Sequence, residues 1–117
     1  MNYKEERQWG TFEILIDDTN YKVKRIVVYP KQRLSLQSHE KRNEHWIVVV
    51  GEVKITNGEN VREYSNNDYI YIPVGNKHRI ENIGEENAEI IEIQTGEYFG
   101  EDDIIRYEDD YNRIKGK

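Results

Sequence analysis

The sequence has no cysteine, so neither disulfides nor thiolate metal sites can form. It has only two prolines, Pro30 and Pro73, and three histidines in 117 residues. No apolar run approaches the roughly 20 residues that span a bilayer, so no membrane partner is expected. The N-terminus "MNYKEERQWG" is charged and lacks an apolar h-region. No signal peptide is therefore expected, and a soluble, cytoplasmic protein is. Basic residues are in deficit: 17 Lys and Arg stand against 23 Asp and Glu, a net charge of −6. That argues against nucleic acid as a partner, which needs a basic face to displace counterions. An anionic small molecule would need its own local cluster of Lys or Arg. Hydrophobic residues make up only 36% of the chain and charged residues 34%, yet Ile, Val and Tyr recur throughout. The composition is polar but globular, and the length fits one domain over residues 1–117 with a modest core.

What is present reads as β-structure. "TFEILID", "YKVKRIVVY", "HWIVVVGEVKIT", "NVREYS", "YIYIPVGNKH" and "AEIIEIQTG" are short runs rich in Val, Ile, Tyr and Thr, separated by turn signals. Asn57-Gly58 predicts a hairpin with a type I′ turn, which needs positive φ at both central residues. Many short strands in a chain of this size predict an all-β sandwich or small barrel. Only the tail "EDDIIRYEDDYNRI", residues 101–114, reads as a short helix, with acidic residues suited to a helix N-terminus.

The chemistry concentrates in "SLQSHEKRNEHW", which holds two of the three histidines. Gln37 and His39 are two apart, so an extended strand puts them on one face. Glu44 follows across a bend, and His78 comes from "PVGNKHRIEN". If the barrel brings these together, a Gln oxygen, two imidazoles and a carboxylate converge. Such ligands suit Zn, Mn, Fe, Co or Ni. The bland reading is a polar strand surface with a His held by a backbone carbonyl.

These residues also carry a resemblance. The chain looks like a cupin, a small antiparallel β-barrel of the double-stranded β-helix or jelly-roll type. The first cupin motif places Gly, His-x-His, Glu and Gly in order. Here Lys31 stands at the first Gly, Gln37 and His39 at the histidines, Glu44 at the Glu and Gly51 at the last Gly. In the second motif Asn67 replaces the Gly, while Pro73, Gly75, His78 and Asn82 match. The likeness narrows to the type II phosphomannose isomerase domain, usually the C-terminal part of bifunctional mannose-1-phosphate guanylyltransferases. It covers roughly residues 7–113 and includes "RLSLQSHEKRNEHWIVVVGEVKIT", "YIPVGNKHRIEN" and "AEIIEIQTGEYFGEDDIIRYEDDYNR". Gln at the first His position is itself a habit of phosphomannose isomerases. The departures are Lys31 and Asn67 at glycine positions, and Glu40-Lys41 where the family often has further histidines. No "GGxGxRL"-like loop occurs, so guanylyl transfer is not expected.

The resemblance implies interconversion of mannose 6-phosphate and fructose 6-phosphate through a cis-enediol. Gln37, His39, Glu44 and His78 would hold a divalent metal, with Zn favoured over Mn, Co, Ni or Fe. Arg42, an even offset from Glu44, is the candidate for the substrate phosphate, against the bland reading of a solvated turn arginine. Lys77 and Arg79 flank His78, and alternation points them away from its face. Lys22, Lys24 and Arg25 read as a solvated face with one member turned inward. The base stays unassigned. His45 falls on the opposite face from Glu44, and Glu92 and Glu81 are candidates without geometry. Trp46 reads as barrel packing. The "EDD" triplets at 101–103 and 108–110 read as a solvated helix face, since they lack the spacing and glycine of a calcium loop. By resemblance, a homodimer is expected to cover the outer sheet. Two other functions stand beside the isomerase: a non-catalytic metal- and sugar-binding module serving a separate nucleotidyltransferase, and a metal-dependent oxygenase.

Overall fold

The computed structural model describes residues 3–111. Eleven strands run in chain order: β1 (Tyr3–Arg7), β2 (Gly10–Asp17), β3 (Tyr21–Val28), β4 (Leu36–Ser38), β5 (Arg42–Val50), β6 (Val53–Asn57), β7 (Asn60–Tyr64), β8 (Tyr69–Ile72), β9 (His78–Asn82), β10 (Ala88–Gly96) and β11 (Ile105–Glu108). They form two antiparallel sheets, ordered β1-β2-β3-β10-β5-β8 and β11-β4-β9-β6-β7. The inner faces of the two sheets enclose the core, as the strand-rich sequence predicts.

The period of two explains what lies inside. On β3 the inward residues are Lys22, Lys24, Ile26 and Val28; on β10 they are Ala88, Ile90, Glu92 and Gln94; on β5 they are Arg42, Glu44, Trp46 and Val48. Each strand is apolar at one end of its inner face and polar at the other. The antiparallel registers align these gradients, for Glu92 pairs with Lys24 and Trp46, and Gln94 with Lys22 and Glu44. One half of the barrel is thus a dry core, closed by Val53, Ile55 and Ile80 from the second sheet. Each such side chain contributes about 1.5–3 kcal/mol by leaving water. The other half is lined by buried polar groups.

Two expectations about local structure are corrected. The tail is not a helix. Ile105–Glu108 is a strand paired with β4, and there is no helix among the described residues. The open edge of β4 offers backbone partners that an isolated short helix lacks. Arg33 also anchors Asp110 through two hydrogen bonds of 2.7 and 2.9 Å. Residues 112–114 of the expected helix lie outside the described residues. The hairpin between β6 and β7 does form, but Asn57 pairs with Asn60 as the last residue of its strand. Its two-residue loop is Gly58-Glu59, and of these only Gly58 has positive φ, at 64°. Positive φ at the first central residue alone is the type II′ pattern rather than type I′.

At the two motif positions where this chain lacks glycine, the backbone still takes the left-handed turn: Lys31 has φ 64° and Asn67 φ 75°. Gly51, where the motif's glycine is kept, has φ 116°. An added Cβ there would meet Ala88 at 2.8 Å.

Candidate metal and substrate site

At the polar end of the barrel, β5 turns Glu44 and Arg42 inward, β9 supplies His78, and the turn after β4 supplies His39. Ligand atoms of His39, Glu44 and His78 all lie within 4.8 Å of one another, and all three residues are buried. Gln37 pairs in register with His78 and lines the same cavity, which holds about 100 Å³. Its amide nitrogen donates to Ser35 Oγ at 2.9 Å, leaving its oxygen for another partner.

The imidazoles are oriented by backbone carbonyls, which can only accept. His39 Nδ1–H donates to the Asp103 carbonyl at 2.6 Å, and His78 Nδ1–H to the Asn76 carbonyl at 3.0 Å. Both Nε2 lone pairs therefore face Glu44. His39 Nε2 lies 3.2 Å from Glu44 Oε2, and His78 Nε2 3.8 Å from Oε1. Two imidazole nitrogens and a carboxylate gathered in this way make a nitrogen and oxygen donor set that fits a divalent metal. The second, orienting layer is present too. Trp46 Nε1–H donates to Glu44 Oε1 at 3.0 Å. The Asp103 carboxylate accepts from the backbone N–H groups of Glu40 and Lys41, both at 3.0 Å.

Arg42 is no solvated turn residue. It is 5% exposed and on the face of Glu44. Its Nε donates to Glu44 Oε2 at 2.9 Å, and its Nη2 to His39 Nε2 at 3.1 Å. Only Nη1 is left without a partner among the described residues. Burial, then the Arg42 charge and His78, push His39 down to about 4. Burial would raise the Glu44 carboxyl, but His78 and Arg42 outweigh it and hold it below the ordinary carboxylate range. Glu92, on the neighbouring strand, goes the other way: burial and the Glu44 charge push it up. Two neighbouring carboxyls are thus set apart by environment, a pattern that equips one for charge and the other for proton transfer.

Several residues sit elsewhere than the sequence suggested. Lys22 and Lys24 are both turned inward and buried, because both have the parity of Ile26 and Val28. Only Arg25 faces out, where Glu89 accepts from its guanidinium at 2.9 and 3.1 Å. Arg79 is not a free outward side chain. It is buried and lines the cavity, with its Nε donating to the Leu34 carbonyl and Nη1 to Glu108. Trp46 packs the barrel but also orients Glu44. Asp103, read as part of a solvated face, is the residue that braces His39. Its position within an acidic triplet gave no signal of that. His45 does face away, bonded to the Tyr69 hydroxyl at 2.7 Å. Glu81 pairs with Lys54 and does not line the cavity. Asn82 of the second motif is structural: its amide donates to the carbonyls of Val28 and Glu86, both at 2.8 Å.

The sequence profile described as "Mannose-6-phosphate isomerase C-terminal" matches residues 1–109. The chain belongs to the mannose-6-phosphate isomerase C-terminal family. Among relatives, it is 48% identical over 107 residues to the xanthan biosynthesis protein XanB of Xanthomonas campestris pv. campestris, covering 92% of this chain and 23% of that protein. A mannose-1-phosphate guanylyltransferase of Salmonella montevideo is 46% identical, with 92% of this chain and 23% of that protein covered. The alginate biosynthesis protein AlgA of Pseudomonas syringae pv. tomato is 48% identical over 92% of this chain and 22% of its own length. The chain spans less than a quarter of the length of these relatives. Among solved structures, oxalate decarboxylase from Bacillus subtilis superimposes with a TM-score of 0.81 at 18% identity, covering 90% of this chain and 30% of that one. A double-stranded β-helix domain from Klebsiella pneumoniae gives 0.77 at 17% identity, with 89% of both chains covered. These similarities establish the cupin fold of this family member.

Proposed function

We propose that this domain is a metal-dependent isomerase interconverting mannose 6-phosphate and fructose 6-phosphate. The observation that carries the reading is the group of His39, Glu44 and His78 at the floor of a cavity in a chain of this family. Those three residues, with the Gln37 oxygen, would hold the metal. A divalent ion there would supply Lewis-acid polarisation of the sugar oxygens at C1 and C2. Manganese is named in a structure of oxalate decarboxylase, which shares this fold, so Mn stands beside Zn.

The chain's own groups would do the rest. Glu92, raised by burial and by Glu44, is the group we assign to moving the proton between C2 and C1, because a carboxyl held less acidic than usual more readily takes a proton and returns it. Gln94 donates to Glu92 Oε2 at 2.6 Å and fixes its orientation. Arg42 Nη1 has no partner among the described residues and would meet an oxygen of the bound sugar beside the metal ligands. The apolar half of the barrel, through Trp46 and Ile80, closes the cavity floor to water.

The test is turnover of mannose 6-phosphate, coupled to detection of fructose 6-phosphate, with Zn²⁺, Mn²⁺, Co²⁺ or chelator. Metal-dependent turnover, lost in His39→Ala and reduced about 10²-fold or more in Glu92→Gln, supports the reading. Absence of turnover in a folded, metal-binding protein sinks it. A second reading then gains ground, for the chain spans under a quarter of its relatives. It would be a binding module that works beside a separate nucleotidyltransferase.

A further inference from the structure

Two lysines lie buried inside the barrel, each 6% exposed. Lysine is almost never fully buried unless paired, because desolvating an ammonium is costly. Their shared carboxylate is unusual. Lys24 Nζ donates to Glu101 Oε2 at 2.9 Å, and Lys22 Nζ lies 3.9 Å from the same oxygen. The side chain of Glu101 is 61% exposed and sits on the turn between β10 and β11. Lys22 donates instead to the Phe99 carbonyl at 3.4 Å, so one solvent-accessible carboxylate is the ion-pair partner of both buried ammoniums. Lys24 and Glu101 both line the cavity that contains His39, Glu44 and His78, and so does Arg7. The ring of Phe12 lies against the Lys24 ammonium, 4.8 Å from ring centroid to Nζ.

We propose that Lys24, backed by Lys22, anchors the phosphate of a phosphosugar in this cavity, and that the Glu101 carboxylate holds the anion's place in the free protein. The identity of the sugar rests on the isomerase reading above; the anion subsite does not. Arg42 alone is a weak anchor, since two of its three nitrogens are engaged by Glu44 and His39. Lys24 is placed better. It stands on β3 in register with Glu92 and Trp46, and Lys22 on the same face aligns through Gln94 with Glu44 on β5, two strand spacings or roughly 10 Å across the sheet. An opened six-carbon chain bridges such a span, with its carbonyl end at the imidazoles and its phosphate at the ammonium. A phosphate carries more charge than the carboxylate and has three acceptor oxygens, so it can displace Glu101 and engage both lysines. Glu101 is in this view a competitor of the ligand.

The experiment measures binding of inorganic phosphate by calorimetry to the metal-loaded chain, beside Lys24→Met, Lys24→Arg and Glu101→Gln. Lys24→Met is expected to weaken phosphate binding about tenfold or more, and Lys24→Arg to restore most of it. Glu101→Gln is expected to tighten it severalfold, which a merely structural ion pair would not do. Phosphate affinity unchanged in Lys24→Met, or unchanged or weakened in Glu101→Gln, overturns the proposal, as does absence of phosphate binding to the unaltered chain. If Lys24→Met fails to fold, Glu101→Gln decides alone. Binding with the expected pattern but no turnover of mannose 6-phosphate sinks the isomerase and leaves the anchor standing. Turnover whose KM is the same in Lys24→Met keeps the isomerase and overturns the anchor.

Discussion

Lys31 holds a positive φ at a position where the cupin motif has glycine, and it does so with a side chain that gains little in return. Its Nζ donates to the Ile83 carbonyl at 2.8 Å, near the solvent. The left-handed region costs a residue with a Cβ about 1–2 kcal/mol. Part of that is returned on mutation to glycine, whose unfolded state has more freedom to lose. Lys31→Gly is therefore expected to stabilise the domain by up to about 1 kcal/mol, read as a higher urea midpoint; a lower midpoint would contradict this account. His39 sets a pH dependence. Folding holds it at about 4 against an ordinary 6.5, so between those values the unfolded chain binds a proton that the folded chain does not. Stability is then lost as pH falls through that window. The lowered Glu44 acts in the same sense, and the raised Glu92 in the opposite one. Melting of chelator-treated protein is expected to show a falling midpoint below about pH 6.5, with a shallower fall in His39→Asn. Equal slopes would remove His39 from the explanation.

At the scale of elements, the turn leading into β11 is the support of the site. Asp103 joins the His39 ring and the Glu40 and Lys41 amides into one brace, and β11 fixes that turn by pairing with β4. Its carboxylate touches no candidate ligand atom, yet it holds the loop that carries one. Asp103→Ala is expected to lower metal affinity about 10–100-fold while leaving the fold intact, measured by competition with a chelating dye. Unchanged affinity would mean that His39 is held by packing alone. The strands themselves were legible in the sequence because alternation of Val, Ile and Tyr with polar residues is a local pattern. The tail was not. "DIIRYE" can be spaced as a helix or alternated as a strand, and only the open edge of β4 decides between them. Lys22 and Lys24 misled for a related reason. Alternation puts both on one face, but the sequence does not say that this face is the interior.

For the whole molecule, the outer face of the six-stranded sheet carries Ile47, Val49, Tyr69 and Tyr71, each more than a third exposed. A second copy is the occupant we propose for this stripe, in keeping with the homodimer expected by resemblance. Sedimentation is expected to give twice the chain mass of 14.1 kDa, falling to one chain mass in Val49→Lys. A single chain mass in the unaltered protein would refute it.

The sequence by itself determined the all-β class, the strands from Gly10 to Gly96 in outline and the candidates Gln37, His39, Glu44, His78 and Arg42. It could do so because hydrophobic period and motif spacing are properties of neighbours along the chain. Tertiary structure alone decided that Trp46 and Asp103 brace the site, that Arg42 spends two nitrogens on Glu44 and His39, and that two lysines share one exposed carboxylate. Those contacts join residues as many as 77 positions apart, as between Lys24 and Glu101. They arise from closure of the sheets around a common interior, where a buried charge must find its partner in space.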